Sequence, residues 1–121
     1  MKKYSDPSHS SQNCAESRRA IQDTLEIING KWKLIIIITL SSRPYRFKEL
    51  SREIGISPRM LSKELQDMEV NHLVTRTVLA TKPISVEYAL TKYAETFREV
   101  LDAMKNWGMK HRDHIIHGAA V

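Results

Sequence analysis

Apolar and polar positions follow a helical period over most of this 121-residue chain. Between Ala15 and Ile28 apolar side chains recur at intervals of three and four residues, which predicts an amphipathic helix. The following Asn29-Gly30 pair is typical of a helix C-terminus. Residues 1–13 are polar and rich in serine, so we expect a flexible arm there and one folded domain over residues 14–121.

The run Trp32 to Leu40, WKLIIIITL, is the most apolar part of the chain, and it fits two structures. Four consecutive isoleucines favour a buried strand, whereas nine residues between Asn-Gly and Ser-Ser-Arg-Pro also fit a helix buried on most sides. In either structure the run should form the centre of the core, because burying one isoleucine stabilises a fold by about 1.5–3 kcal/mol.

A helix, a tight turn and a second helix are predicted over residues 46–71. The first helix has apolar residues at helical spacing and is followed by Gly55. Ser57 then supplies a hydroxyl N-cap, and Pro58 suits the first helical position. The second helix has an apolar stripe that can dock on a core, and a separate polar stripe. That polar stripe consists of Arg59, Ser62, Lys63 and Gln66.

This two-helix unit indicates a helix-turn-helix with Ser57 to Gln66 as its recognition surface. The side chains of the polar stripe carry the groups that read base edges and phosphates. A net charge of +5 and a pI near 9.5 favour a polyanionic partner without naming it, since ribosomal and membrane-surface proteins share that balance. The alternative is that the stripe is merely the solvated face of a small helical domain.

After the second helix the pattern changes to period two, which predicts two short antiparallel strands over residues 73–90. The break between them falls at Thr81-Lys82-Pro83. A hairpin directly after a recognition helix, with Arg76 and Lys82 at or near its tip, is typical of a wing that lies along DNA. The alternative is a hairpin that only closes the core.

Helical spacing returns over residues 91–117, which predicts one long C-terminal helix. Its apolar stripe exceeds what one small domain needs, so part of it should meet a second subunit. A two-fold dimer would place two recognition helices about 34 Å apart, one turn of DNA, and would match an inverted-repeat site. The expected fold is therefore mainly α with a small β-hairpin wing, a winged helix-turn-helix with long terminal dimerisation helices.

Other kinds of chemistry find little support in the chain. No nucleophile with a paired base, phosphate-binding glycine loop or metalloprotease motif is present, so we expect neither an enzyme nor a cofactor. His111, His114 and His117 spread over about a third of the helical turn, so we expect polar tail residues rather than a metal site. A single cysteine excludes an intramolecular disulfide, and the N-terminus has no apolar core for a signal peptide. We expect no membrane partner. A cytoplasmic protein is expected.

Several motifs between Leu25 and His111 resemble the HxlR family of bacterial winged helix-turn-helix regulators, whose architecture is related to the MarR group. These motifs are Gly30-Lys31-Trp32, Arg46-Phe47-Lys48-Glu49-Leu50, Gly55-Ile56-Ser57 with Met60-Leu61, Leu73-Val74-Thr75-Arg76, Pro83, Val86-Glu87-Tyr88, Leu90-Thr91 and Trp107-Gly108. The resemblance implies that Trp32 to Leu40 is a helix and that the recognition surface enters the major groove. It also implies a homodimer joined through its first and last helices. The expected interface residues are Ile21, Leu25, Phe97, Leu101, Met104, Trp107 and Gly108.

Three positions depart from the family pattern. His72 stands where glycine is usual before the wing, and we expect Asn71-His72 to supply a left-handed residue. Ala94 replaces a frequent glycine and should be harmless inside a helix. The family often has a redox-sensing cysteine ahead of the first helix, but Cys14 lies farther from Trp32 than usual. Cys14 is therefore either a sensor thiol at a helix N-terminus or an incidental residue of the arm.

The functional prediction is a homodimeric, sequence-specific regulator of transcription that binds an inverted-repeat operator in double-stranded DNA, most simply as a repressor. Cys14 would make it responsive to electrophiles or oxidants; no small-molecule inducer is assigned. Base or phosphate contacts are expected from Ser57, Arg59, Ser62, Lys63 and Gln66, and backbone contacts from Arg46, Lys48, Arg76 and Lys82. The alternative is a winged-helix module that binds another protein and no DNA, since a fold alone does not fix function.

Overall fold

The structure, a computed structural model, describes residues 11–118. Within that range six helices and three strands follow one another. Their bounds are α1 Ser11–Ile27, α2 Trp32–Leu40, β1 Tyr45–Arg46, α3 Phe47–Ile54, α4 Pro58–Val70, β2 Val74–Leu79, β3 Ser85–Leu90, α5 Lys92–Glu95 and α6 Arg98–Ile116. None of these helices is long and apolar enough to cross a membrane.

Helix α1 begins at Ser11, four residues earlier than the hydrophobic pattern indicates. Residues 11–13 therefore belong to a helix and not to the predicted arm, whereas the rest of that arm, residues 1–10, lies outside the described residues. The early start has a simple reason: serine, glutamine and asparagine carry no apolar signal, yet polar residues of this kind are common in the first turn of a helix.

The isoleucine run forms helix α2, so of its two possible structures the helix is confirmed. Ile36, Ile37 and Leu40 are buried and belong to the central cluster of the core. Ile35 and Ile38 lie on the opposite side of α2 and are exposed. The run is thus central to the core and, as expected, buried or half-buried on most sides, with only Ile35 and Ile38 on an open side.

The predicted helix-turn-helix is confirmed as α3 and α4. Gly55 ends α3 in the left-handed conformation with φ of 70°, where glycine lacks the steric penalty of other residues. Ser57 caps α4, its hydroxyl accepting a 3.2 Å hydrogen bond from the backbone N–H of Met60. The predicted apolar stripe of α4 is fully buried in the core, and its members are Leu61, Leu65 and Met68.

The predicted wing hairpin is β2 paired with β3, and His72 precedes it in the expected left-handed conformation with φ of 61°. The sheet has a third strand that the pattern did not predict. In β1, Tyr45 pairs with Tyr88 of β3, which gives the antiparallel order β1-β3-β2. Two residues are too few to show an alternation, so only the pairing itself identifies this strand.

The C-terminal segment forms two helices, which corrects the prediction of a single helix over residues 91–117. The Thr91 hydroxyl accepts a 2.9 Å hydrogen bond from the N–H of Ala94, and so caps the short helix α5. The Thr96 hydroxyl donates back to the carbonyl of Tyr93 at 2.6 Å, and α6 starts only after Phe97. This break lets Phe97 and Leu101 pack partly against the core.

Candidate nucleic-acid interface

Helix α4 presents the predicted recognition residues to solvent. The side chains of Arg59, Ser62, Lys63 and Gln66 are all exposed, and so is the cap residue Ser57. They lie away from the buried stripe that fixes α4 to the core, so they face outward on one anchored helix. The start of the helix lines a shallow concavity of about 300 Å³. A rigid helix carrying exposed donors and acceptors suits insertion into the major groove.

Met60 also belongs to this surface, although the sequence did not mark it as a contact. Its side chain is exposed and lines the same concavity as Arg59 and Lys63. Apolar side chains in the major groove contact the methyl group of thymine. The signal was present in the sequence, because Met60 and Lys63 stand three positions apart and share a helix face.

Two carboxylates of α4 are held by a buried lysine of α2. The Lys33 ammonium lies 2.6 Å from Glu64 Oε1 and 3.3 Å from Asp67 Oδ2. It also donates a 3.3 Å hydrogen bond to the side-chain oxygen of Asn29. Burial alone would lower the pKa of Lys33, but the hydrogen bonds to Glu64 and Asp67 outweigh that effect and raise it. The single positive charge of Lys33 therefore balances only one of these two negative charges beside the recognition surface, and Glu64 is its closer partner.

Sequence reasoning missed this ion pair. Lys33 and Glu64 are separated by 31 positions, and no local periodicity connects residues that far apart. One signal was available: a lysine inside the most apolar run of the chain requires a partner if the run is buried, because an isolated charge in a core is very costly.

The predicted backbone-contacting cations lie around the wing and α3. Arg46, Lys48 and Lys82 are exposed and line one cleft between the start of α3 and the loop of the wing. Arg76 is exposed too, but it pairs with Tyr88 in the middle of the hairpin, so its predicted place at or near the tip is wrong. An alternating pattern shows which face a strand residue occupies, but not how far it stands from the turn.

The start of α3 is itself strongly organised by charge. The Glu49 carboxylate accepts a 3.0 Å hydrogen bond from the backbone N–H of Arg46 and lies 3.8 Å from Arg43. That backbone hydrogen bond is the main reason that the pKa of Glu49 lies below its usual value, and the charges of Arg43, Arg46 and Arg52 lower it further. Glu49 thus stays ionised and fixes the first turn of α3.

Comparison with known proteins shows to which protein family the chain belongs. The profile of a helix-turn-helix family described as HxlR-like matches residues 27–116, most of the chain. The chain belongs to the HxlR-like helix-turn-helix family. It is a DNA-binding transcriptional regulator, not an enzyme. The resemblance seen in the sequence motifs is therefore confirmed, and so is the winged-helix fold.

Relatives of this HxlR-like chain are regulators as well. An uncharacterised helix-turn-helix-type transcriptional regulator of Halalkalibacterium halodurans, BH0655, is 42% identical over 93 residues, which are 75% of this chain and 82% of the relative. The redox regulator HypR in its reduced form superposes with a TM-score of 0.74 at 34% identity, covering 81% of this chain and 98% of HypR. The reduced regulator YodB of Bacillus subtilis gives 0.67 at 31% identity, covering 78% and 90%.

The two remaining sets of predicted residues in this HxlR-like protein lie on its terminal helices, except for Phe97, which directly precedes α6. Cys14 is half-buried in the first turn of α1, rather than ahead of the helix. Of the expected interface residues, Ile21, Leu25, Met104 and Trp107 are exposed by 47–66%. Phe97 and Leu101 pack partly on the chain's own core, and Gly108 is half-buried.

The histidines of α6 and its end take part in local contacts. The ring of His111 stacks on Trp107 with centroids 5.0 Å apart, and His117 lies 2.8 Å from the Asp113 carboxylate. In the part of the chain that the structure describes, no cluster of three or more metal-ligating side chains is formed.

Proposed function

We propose that this regulator binds an inverted-repeat operator as a homodimer, with α4 of each subunit in the major groove. The observation that carries the proposal is the division of α4 into a buried apolar stripe and an exposed polar face. Arg59 and Lys63 suit guanine, Gln66 suits adenine, and Ser62 and Ser57 suit either bases or phosphate. Lys33 offsets the charge of Glu64, its closer partner, so that carboxylate repels DNA phosphates less strongly.

Backbone contacts are proposed for the cations that flank the recognition face. Arg46 and Lys48 stand at the start of α3, Lys82 is in the loop of the wing, and Arg76 is on the exposed side of β2. Cations on either side of a recognition helix fix its register on the duplex without reading sequence.

The homodimer is proposed from the apolar faces of the two terminal helices. Along α6 no side chain is buried, yet Met104 and Trp107 are exposed apolar residues, and Ile21 and Leu25 form a similar pair on α1. Exposed apolar patches of this kind mark interaction surfaces. We call the set Ile21, Leu25, Met104 and Trp107, with Gly108 beside them, the dimer surface; Phe97 and Leu101 border it and contribute mainly to the core.

Gel-shift titration tests the proposal with DNA from upstream of the protein's own gene, beside a shuffled duplex of equal length. The proposed function requires the upstream duplex to bind at least about 1,000-fold more tightly at physiological salt. Equal, weak binding of both duplexes would contradict a specific regulator, and no binding to either would favour the protein-interaction alternative. Transcription in vitro from the same promoter should fall when protein is added, as expected of a repressor acting in the cytoplasm.

Oxidant sensing by Cys14 is proposed as the regulatory input. HypR is named a redox regulator, and this chain is similar to it in both sequence and structure. The Cys14 thiol lies in the first turn of α1 and is partly exposed, so an oxidant can reach it. Because the chain has one cysteine, oxidation would join it to a second subunit or to a small thiol.

The prediction is that diamide changes the operator affinity of the wild type about tenfold, a typical size for coupling between two sites. The Cys14→Ser variant should bind the operator like the untreated wild type, with or without diamide. The measurement is a gel shift with and without reductant. Equal affinities in all four conditions would remove the sensor role and leave DNA binding intact.

A further inference from the structure

A cleft of about 620 Å³ lies between α3 and the loop of the wing. Phe47, Val86 and Tyr88 form an apolar part of its lining and belong to the core or pack against it. The rings of Phe47 and Tyr88 have centroids 6.4 Å apart and are tilted by 51°. Ile84, whose side chain is 72% exposed, extends this apolar lining towards solvent. The volume falls within the range of small-molecule sites, about 300–1,000 Å³.

The rim of the cleft carries an excess of positive charge. Four cations line it, Arg46, Lys48, Arg52 and Lys82, against the one carboxylate of Glu49. Glu49 is already occupied, because it accepts a hydrogen bond from the Arg46 backbone and lies near Arg43. The charged side chains that line the cleft therefore have a net formal charge of +3, which favours an anionic ligand.

The combination of an apolar lining and a cationic rim is more than contacts with DNA phosphates require. Phosphate contacts need cations alone, whereas the apolar lining from Phe47 to Ile84 offers nothing to a phosphate. A concave apolar lining with a few convergent polar groups is the usual form of a ligand site. The ligand that matches both parts is a flat apolar ring bearing a carboxylate, whose ring packs on the lining and whose charge meets the rim.

We propose that this cleft binds an aromatic carboxylate and that the bound ligand releases the protein from DNA. The second half rests on the proposed function, because Arg46, Lys48 and Lys82 are also the proposed phosphate contacts. A ligand anion and a DNA phosphate compete for the same cations, so each weakens the binding of the other by the same factor.

Calorimetric titration of the full chain, without DNA, tests the site with three probes at fixed salt. The probes are 2-naphthoate, the neutral 2-naphthylmethanol with the same ring, and inorganic phosphate. The site requires 2-naphthoate to bind at least about tenfold more tightly than either other probe, because charge-assisted contacts and ring burial then act together. Equal binding of phosphate would mark a groove for the DNA backbone only, and equal binding of the alcohol a general apolar surface; both overturn the site.

Two substitutions test whether 2-naphthoate binds in this cleft. Arg52→Met removes a cleft cation outside the proposed DNA contacts, and Ile84→Ser removes an exposed apolar wall; each should weaken 2-naphthoate about tenfold. The matched controls are Lys92→Met and Val78→Ser, exposed positions that do not line the cleft. Circular dichroism checks that all four variants fold. Unchanged 2-naphthoate binding in both cleft variants would place the probe elsewhere and overturn the proposal.

A gel shift with saturating 2-naphthoate tests release, and the operator affinity should fall by about tenfold or more. An unchanged operator affinity would overturn the release mechanism, whereas the calorimetry still decides the ligand site. A protein that binds 2-naphthoate but no DNA would overturn the regulator proposal and support the ligand site. The two failures are therefore distinguishable.

Discussion

At the scale of single residues, the recognition helix is held by a charge and not by apolar packing alone. Lys33 is 4% exposed, the one charged side chain counted as buried in the described part of the chain. Its ammonium has acceptors on two sides, Asn29 before α2 and the carboxylates of α4. A buried ion pair adds little net stability, but breaking it leaves an uncompensated charge. Lys33 therefore fixes how α4 sits on α2.

Replacing Lys33 with methionine should lower the free energy of unfolding by about 3 kcal/mol. This value is near the lower end of the usual cost of breaking a buried ion pair, because the side chain of Glu64 is partly exposed. Urea denaturation measures this change. The double variant Lys33→Met/Glu64→Met should recover most of the loss, since an apolar pair of similar volume replaces both charges. A double variant as unstable as the single one would show that Lys33 acts through packing rather than through its charge.

The same residue predicts a dependence on pH. Because pairing raises the pKa of Lys33 in the folded state, its stabilisation is complete below the ordinary value of 10.5 and is lost as the pH rises through the higher folded value. The stability difference between wild type and Lys33→Met should thus stay constant at neutral pH and shrink above 10.5. A difference that stays constant through strongly alkaline pH would contradict the raised pKa.

Arg59 is the residue whose loss should most affect recognition. Arg59→Ala should weaken operator binding by about 1–3 kcal/mol and relax the preference at one base pair, if its guanidinium contacts guanine through two hydrogen bonds. Gel shifts on the operator and on single-base variants measure both effects. The control is Arg98→Ala, an exposed arginine on α6. A similar loss in both variants would indicate net charge rather than a specific contact.

At the scale of elements, the wing is expected to add affinity without specificity. Lys82 is exposed in the loop between β2 and β3, outside the recognition helix, so we expect it to contact phosphates rather than base edges. Lys82→Gln should weaken binding to all duplexes alike and reduce the slope of log affinity against log salt by about one. Lys92→Gln, an exposed lysine of α5, serves as the control. A loss confined to the operator would contradict a backbone contact.

How far the elements follow from the sequence depends on whether their signal is local. Helices α3 and α4 could be predicted because Gly55, Ser57 and the apolar stripe all act within a few positions. The isoleucine run has no polar side to give a period, so its residues alone could not separate helix from strand. Strand β1 and the Lys33 ion pair depend on partners distant in the chain, and the α5–α6 break accompanies the packing of Phe97 against a core formed by other segments.

The same distinction between local and distant signals applies to the residues of the candidate site. The exposed face of α4 follows from helical spacing, so its four polar residues could be named from the sequence. Where Arg76 stands in its hairpin, and which cations share a cleft with Phe47, follow from pairing and packing across the wing. Those relations involve segments that are far apart in the sequence, so neither composition nor local periodicity could predict them.

At the scale of the whole molecule, a single chain leaves large apolar side chains of the terminal helices α1 and α6 exposed to water. Over residues 13–118, whose burial the structure describes, neither helix has a buried residue, because the core is built from α2 to α5 with only borders from α1 and α6. Covering the dimer surface with a second copy would remove four large apolar side chains from water, each worth about 1.5–3 kcal/mol when fully buried. In the proposed dimer, this symmetric pairing would also present two copies of α4 to one duplex.

Placing a charge on the dimer surface should therefore separate the subunits without unfolding them. Trp107→Asp and Leu25→Asp change exposed side chains outside the core, whereas Val78→Asp makes the same kind of change on the wing. In sedimentation equilibrium the wild type and Val78→Asp should have the mass of two 14.0 kDa chains, and the first two variants should shift to one. Their operator affinity should fall to the non-specific level, because a lone subunit reads only half of an inverted repeat. A wild type that sediments as one chain at micromolar concentration would refute the dimer, and the apolar faces of α1 and α6 would then need another partner.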